Sequence, residues 1–431
     1  MKRRNGLIFL ASTIFVLTTI VVGLCSVQGV PVAQSLAQRS AQLIPTPPSA
    51  PYWTYTAGDT VRAVAVSEDG NTIVAGSSDK NLYVFNQKSS TPMWTFTSTS
   101  VIHVVAVSAD GNTIVAGTAS PDGQIRVFSR GSNMPIWTYT TLVNINSVSV
   151  SADGNTIAAC GNDYCIRVFG RQSGTPIWTY KTTQLNTYKY GVAVSGDGNT
   201  IVACGGGSDH YVRVFGRLSN ATLWTYRSSS ELYSVAISDD GNTIAACGND
   251  HFIHAFGRQD NATLWNYDTG YEADFVAVSR DGTTISGVGL DHYFKVFGRA
   301  SNATLIEYDM GAIANSVAVS SDGSTIACGD TGMSPKAYLF SKSLGFLWSY
   351  DVGGSISGTF GSAVGISGDG SLIAYGCDDN TLYVFQYGTT AAPGPAPSGI
   401  EWTSVFLSAG LAFVIALAVS FVIGRSKNRR G

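Results

Sequence analysis

The sequence predicts an all-β fold, an eight-bladed β-propeller of four-stranded blades, on three observations. A W-x-Y signature recurs eight times, beginning at Trp53, Trp94, Trp137, Trp178, Trp224, Trp265 and Trp348, with a degenerate copy at Ile306. Each copy is followed by an S-x-D-G turn, and the turn aspartates (Asp69, Asp110, Asp153, Asp197, Asp240, Asp281, Asp322, Asp369) stand 41 to 47 residues apart. A repeat of that length built from short strands has the size of one propeller blade. The third observation is the stagger of the ends. The repeats open on an isolated W-T-Y strand at Trp53–Tyr55 and finish on a third strand, Leu382–Phe385. The first strand is therefore expected to complete the last blade, closing the ring and removing two exposed sheet edges.

One unit, residues 61–96, shows the strands in order. V-R-A-V-A-V-S alternates small and β-branched residues, and E-D-G-N supplies a hairpin turn. T-I-V-A-G-S is the second strand, S-D-K-N the next turn, L-Y-V-F-N the third strand and M-W-T-F-T the fourth. Small residues in the first two strands suit the crowded centre of a ring. The bulky Trp and Tyr of the fourth suit the wide rim, which must be filled at native density.

Eight units occupy residues 52–387, and a Pro-containing linker lies on either side, at 30–51 and 388–402. Before the first, Lys2, Arg3 and Arg4 precede an uncharged run to Gly29, so residues 1–29 read as a signal peptide or an uncleaved membrane anchor. After the second, residues 403–424 are 22 uncharged residues, enough to cross ~30 Å of hydrocarbon as a transmembrane helix. A basic tail, 425–431, follows. Basic residues outside both apolar runs place the tail in the cytoplasm and the repeats on the extracytoplasmic side of the plasma membrane. Three N-A-T-L sequons, at Asn220, Asn261 and Asn302, are glycosylation candidates in that compartment. The net charge of −3 offers no basic surface for nucleic acid.

Cys160, Cys204 and Cys247 hold one equivalent strand position and read as small core residues. Cys160 and Cys165 flank the turn G-N-D-Y, where paired strands would allow a disulfide. No cysteine or histidine spacing matches a zinc site.

The run V-x-x-V-A-V-S-x-D-G-N-T-I-x-A-x-G-x-x-D followed by I-R-V-F resembles the WD-repeat pattern. Phe85, Phe128, Phe169, Phe215, Phe256, Phe297, Phe340 and Phe385 stand in place of its tryptophan. The family's Gly-His dipeptide is absent, which removes one member of its buried hydrogen-bond network. Residues 171–178, R-Q-S-G-T-P-I-W, are similar to the tryptophan-docking motif of quinoprotein propellers, in which a Gly precedes Trp by four positions. That second resemblance would imply pyrroloquinoline quinone over the ring centre, a calcium ion held by Glu and Asn, an Asp base and often a disulfide of adjacent cysteines. The chain has no adjacent cysteines and its blades are near minimal length, so no cofactor and no catalytic or metal residue is assigned.

The S-x-D-G turns offer one carboxylate each, which suits a turn and not a calcium loop. The opposite turns carry Asp209-His210, Asp250-His251 and Asp291-His292 in successive blades, with His254 close by. Equivalent turns of neighbouring blades lie too far apart to share one ion at ~2 Å bonds, so these read as partner-contact surface. Arg171, Arg217, Arg258 and Arg299 follow Phe-Gly on the S-x-D-G face. They suit an anionic partner or a pairing with turn aspartates worth ~0–1 kcal/mol. Two connections exceed the minimum, 182–190 and 352–362, and offer Tyr188, Lys189, Tyr190 and Phe360 as a recognition patch. The expected function is a non-enzymatic, membrane-anchored scaffold for a protein or glycan partner. The alternatives are a quinoprotein-like redox enzyme and a structural component of the cell envelope.

Overall fold

The computed structural model describes residues 47–388 apart from 183–189, 206–207, 355 and 357–362. Its strands form eight four-stranded antiparallel sheets. Blade one is Val61–Val66, Thr72–Ser77, Asn81–Asn86 and Trp94–Thr97, from the inner strand to the outer, and blades two to seven repeat this order. The eighth takes Val364–Ile366, Leu372–Gly376 and Thr381–Gln386 from the end of the repeats and Trp53–Thr56 from their beginning. Trp53 stands opposite Val384 and Thr56 opposite Thr381, so the predicted closure is the observed one. Inner strands pack against inner strands around the whole ring, blade eight against blade one included.

Burial follows the gradient read from the sequence. The second strands are buried throughout, as in T-I-V-A-G-S of blade one and T-I-A-A-C-G of blade three. At the rim, each outer-strand tryptophan lies on the third-strand phenylalanine of the following blade. The ring centroids are 5.3 Å apart for Trp53–Phe85, 5.6 Å for Trp94–Phe128, 5.0 Å for Trp137–Phe169, 5.1 Å for Trp178–Phe215 and 5.5 Å for Trp224–Phe256. Six of the seven outer-strand indoles, Trp348 excepted, also donate Nε1 to the carbonyl two residues beyond that phenylalanine, as in Trp94 to Arg130 at 2.7 Å, Trp137 to Arg171 at 2.9 Å and Trp178 to Arg217 at 2.8 Å. Trp53 makes the same bond to Gln87 of blade one, at 2.8 Å, so the closing strand is docked as the outer strands of blades one to five are. Gly174 lies against Trp137 of the preceding blade, where a Cβ would come within 3.3 Å of the ring. This is the role its place four residues before Trp178 implied. Where Ile306 replaces tryptophan, Phe294 fills the gap by stacking on Phe340 at 4.2 Å.

The S-x-D-G turns are closed locally. Ser67 Oγ donates to Asp69 Oδ1 at 2.5 Å, the Asn71 amide donates to the same oxygen at 2.9 Å, and the Thr72 amide donates to Ser67 Oγ at 2.9 Å. Gly70 takes a φ of 69°, which glycine alone adopts without strain. Burial pushes the Asp69 carboxyl up, but the bonds from Ser67 and Asn71 outweigh it and hold the acid below its usual range. The same bonds recur at Asp110, Asp153, Asp240 and Asp369.

One expectation is corrected. Cys160 and Cys165 are free thiols. The register sets Cys160 opposite Ile166 and Cys165 opposite Lys181. An offset of one residue turns the two sulfurs to opposite faces of the sheet, and no disulfide can join them. The segments read as signal or anchor (1–29), transmembrane helix (403–424) and basic tail (425–431) lie outside the described residues, as does most of each linker. Among the described residues no helix is long and apolar enough to cross a membrane.

Candidate binding face

The blades are alike except at one end of the ring, where the second-to-third strand turns and the connections between blades lie. Six inner strands carry a β-bulge at their second residue: Arg62, His103, Asn146, Tyr233, Asp274 and Asn315. A bulge re-aims the side chain it carries. Arg62 Nε donates to Ser78 Oγ at 2.5 Å, and Asn146 Nδ2 to Asn162 Oδ1 at 2.6 Å, so both reach the neighbouring turn of their own blade. Burial, then the charges of Glu272, Glu231 and Asp274, push the Tyr233 phenol far up, which records three carboxylates gathered around it. The mouth is electrically polarised, with Arg62 in blade one and the three carboxylates in blades five and six.

His103 gives the mouth a pH response. Burial, helped by the Arg62 charge, lowers its pKa from 6.5 to about 4. The unfolded chain takes up a proton as pH falls through 6.5, while the folded chain resists until about 4. Its contribution is therefore complete above pH 6.5 and is lost between the two values. On the order of 3 kcal/mol disappears across that window. Denaturant midpoints of the parent should fall between pH 7 and 4.5, and His103→Gln should flatten the decline. Equal slopes in both proteins would refute the assignment.

Beneath this face lies a feature that sequence reasoning missed. In six of the eight blades the aspartate of the second-to-third strand turn clamps a side chain four residues on, in the third strand. Asp79 accepts from Tyr83 Oη at 2.5 Å, Asp250 contacts His254 Nε2 at 2.7 Å and Asp379 accepts from Tyr383 Oη at 2.7 Å. Asp209 holds Arg213 through two bonds, of 2.7 and 2.6 Å, and Asp163 and Asp291 pair with Arg167 and Lys295. The cations lie over outer-strand rings of the preceding blade, Arg167 5.3 Å from Tyr139 and Arg213 5.5 Å from Tyr180. Burial pulls the Arg213 guanidinium down, but Asp209 outweighs it and the net shift is upward. The turn aspartate thus finds a partner without a Gly-His dipeptide. The D-x-x-x-[YRHK] spacing was the available signal.

His251 and His292 occupy left-handed turn positions, φ 67° and 65°, on the solvent side, and His210 is half-buried in the equivalent turn. His254 is instead internal, clamped by Asp250 and held at Nδ1 by Asn266 Oδ1 at 2.9 Å. Among the described residues no three metal-ligating side chains come together. Tyr188, Lys189 and Phe360 lie outside the described residues, as does the Tyr190 side chain, although the Tyr190 backbone pairs with Gly205.

At the opposite end, the arginine ring reaches back one blade. Arg130 donates to the Asn71 carbonyl at 3.0 Å, Arg171 to Asn112 at 3.3 Å and Arg299 to Asn242 at 3.2 Å, and their charges lower the Asp69, Asp110 and Asp240 carboxyls. Arg217 and Arg258 act in the same way on Asp153 and Asp197. The sequon side chains also bridge blades. Asn220 Nδ2 donates to the Thr179 carbonyl at 3.1 Å, Asn261 to Thr225 at 2.9 Å and Asn302 to Asn266 at 3.0 Å. Asn133, which has no sequon, does the same to Thr95 at 3.3 Å.

Four segments, residues 50–86, 90–129, 135–170 and 220–256, match the WD domain, G-beta repeat family. Each runs from an outer strand through the next three, the same stagger that leaves Trp53–Thr56 to close the ring. No curated protein matches the chain. The fold is similar to that of the C-terminal WD40 domain of Sif2 at 14% identity, with a TM-score of 0.64 over 80% of this chain and 99% of that one. It is similar also to Chaetomium thermophilum Sqt1 at 17% identity, with a TM-score of 0.65 over 78% and 98%. Sqt1 bound to the N-terminus of the ribosomal protein L10 matches at 18% identity, with a TM-score of 0.63 over 76% and 97%. At these identities the likeness shows the fold alone. The repeat matches and the shared architecture agree on one conclusion: four segments of the chain match the WD40 repeat, and the whole ring folds as an eight-bladed β-propeller.

Proposed function

We propose that the protein is a non-enzymatic scaffold, anchored in a membrane with its propeller on the extracytoplasmic side, that holds a protein partner at the polarised mouth. The observation that carries this reading is the set of bulges. Six blades aim six side chains of five chemical kinds, from Arg62 to Asn315, at one end of an otherwise uniform ring. Variation confined to one edge of a rigid platform is the pattern of a recognition surface. Opposed charges across the mouth select a partner carrying both signs and fix its orientation. Sqt1, which shares the fold, was solved with the N-terminus of another protein bound. The anchoring rests on the apolar runs 6–29 and 403–424 and their basic flanks.

The test uses the full chain in its native membrane, with a photo-crosslinking residue at position 233 and a second version carrying it at the exposed rim position Thr54. A protein adduct formed from 233, absent from 54 and lost on Arg62→Glu supports the reading. Equal adducts from both positions, or an adduct indifferent to Arg62→Glu, would refute it.

A further inference from the structure

We infer that the S-x-D-G end of the propeller is seated against the lipid bilayer, with its outer edge in the membrane interface; this rests on the membrane-anchored reading above. Sixteen large apolar side chains are exposed in the described structure, and eleven of them lie along this one edge. Met93, Ile136, Ile177, Leu223, Leu264 and Leu305 each precede the rim Trp or Ile of six successive blades and are 38–55% exposed. Leu218, in a third-to-fourth strand turn of the same edge, is 80% exposed. Phe346 and Tyr52 carry the belt across blades seven and eight. The five exposed apolar side chains at the other end are scattered, four over connections and turns and Tyr293 at the start of a strand.

Repetition gives the belt its shape. Equivalent positions of like blades share one height along the ring axis, so the belt is flat and meets a flat surface. An exposed apolar side chain at the same place in six successive blades is a repeated feature of this edge, unlike apolar residues scattered singly over a surface. Seating it in the interface buries apolar side chains without opening the sheets, as interfacial elements do.

The ends of the chain say what covers it. The closing strand begins at this edge, where the Tyr52 amide donates to the Val384 carbonyl at 2.7 Å, and the last strand finishes there at Gln386. Each end leads through a Pro-containing stretch to an uncharged run of membrane length, ending at Gly29 on one side and starting at Thr403 on the other. Both connections leave from the edge that carries the belt.

Charge chemistry sets the lipid class. The carboxylates of this end are held in their turns by Ser and Asn, and five of them face Arg130, Arg171, Arg217, Arg258 and Arg299. Among the described residues no free cationic ring remains at this end to demand anionic headgroups. Contact is apolar, works on zwitterionic lipid and survives high salt. The sequon side chains of Asn220, Asn261 and Asn302 lie on the same edge, so a bilayer seated there leaves no room for a glycan on them.

The experiment reconstitutes the full chain in phosphatidylcholine vesicles. A bimane label is placed by Leu218→Cys in one protein and by Leu142→Cys, at the other end, in a second, both with Cys165→Ser. Quenching by a headgroup nitroxide lipid should be at least fivefold stronger at 218 than at 142. It should be unchanged between 0.1 and 1 M salt, and at least halved at 218 by Leu223→Glu with Leu264→Glu. The melting temperature of that variant shows that the ring is intact. Equal quenching at the two ends, a salt-sensitive signal, or mass-detected glycans on the sequons would overturn the inference. So would quenching replaced by label-to-label contact at 218, which would mean a second copy covers the belt. Alkaline carbonate separates the two readings. Release from the vesicles sinks the anchoring and the docking together, whereas a retained chain with equal quenching sinks only the docking.

Discussion

Removing residues 52–57 should lower the thermal midpoint by on the order of 10 °C and make the protein aggregate. The deletion takes away the outer strand of the eighth blade, with its four register pairs to Thr381–Val384. It also takes Trp53 from its 5.3 Å contact with Phe85 and its bond to Gln87, and Tyr55 from contacts of 5.0 Å with both Tyr83 and Phe85. Losing two half-buried aromatics costs on the order of 5 kcal/mol, and a large domain shifts by about 2 °C per kcal/mol. Aggregation follows because Thr381–Gln386 becomes an unpaired edge strand. Calorimetry and light scattering measure both effects. Thr54→Ala, at an exposed position of the same strand, is the control that should change little. An unaltered melt after the deletion would show that the ring does not depend on this strand.

Arg213→Met should cost about 3–5 kcal/mol, and Arg213→Tyr less than about 1.5 kcal/mol. Asp209 is 2% exposed and both its oxygens are bonded to Arg213. Methionine keeps the apolar stem but leaves a buried carboxylate alone, the costly way to break such a pair. Tyrosine restores a donor at the position where Asp79 uses Tyr83 and Asp379 uses Tyr383. It also keeps an aromatic surface for Tyr180, which Arg213 now covers at 5.5 Å. Urea midpoints at pH 7 decide between the two. If both variants lose the same stability, the aspartate does not hold its partner as a clamp, and the geometry reflects packing alone.

These two cases show what could be read in advance. The closure was legible because it is a matter of counting: an orphan outer strand at one end and a missing one at the other must pair if neither edge is to be exposed. The clamp was missed because its partners change identity from Tyr to Arg, His and Lys, and only their shared distance from the turn aspartate unites them. The disulfide at Cys160 and Cys165 went wrong through a single residue of register, which spacing along the chain cannot reveal. His254 was grouped with the turn histidines by its number, whereas strand alternation turns it inward to Asp250.

The sequence by itself determined the number of blades, the order of strands within them, the closed S-x-D-G turns and the strand that seals the ring. Those follow from short-range chemistry repeated at a constant period, and they need no knowledge of distant neighbours. Only the tertiary structure decided which side chains meet across blades. Trp94 reaching Arg130, Arg171 reaching Asn112 and Asn220 reaching Thr179 join residues 36, 59 and 41 positions apart. It also decided that the bulged residues gather at one mouth and the exposed apolar residues at the opposite edge. Such meetings depend on the angle between successive wedges and on one-residue shifts in register, both of which are set by the packing of the whole ring.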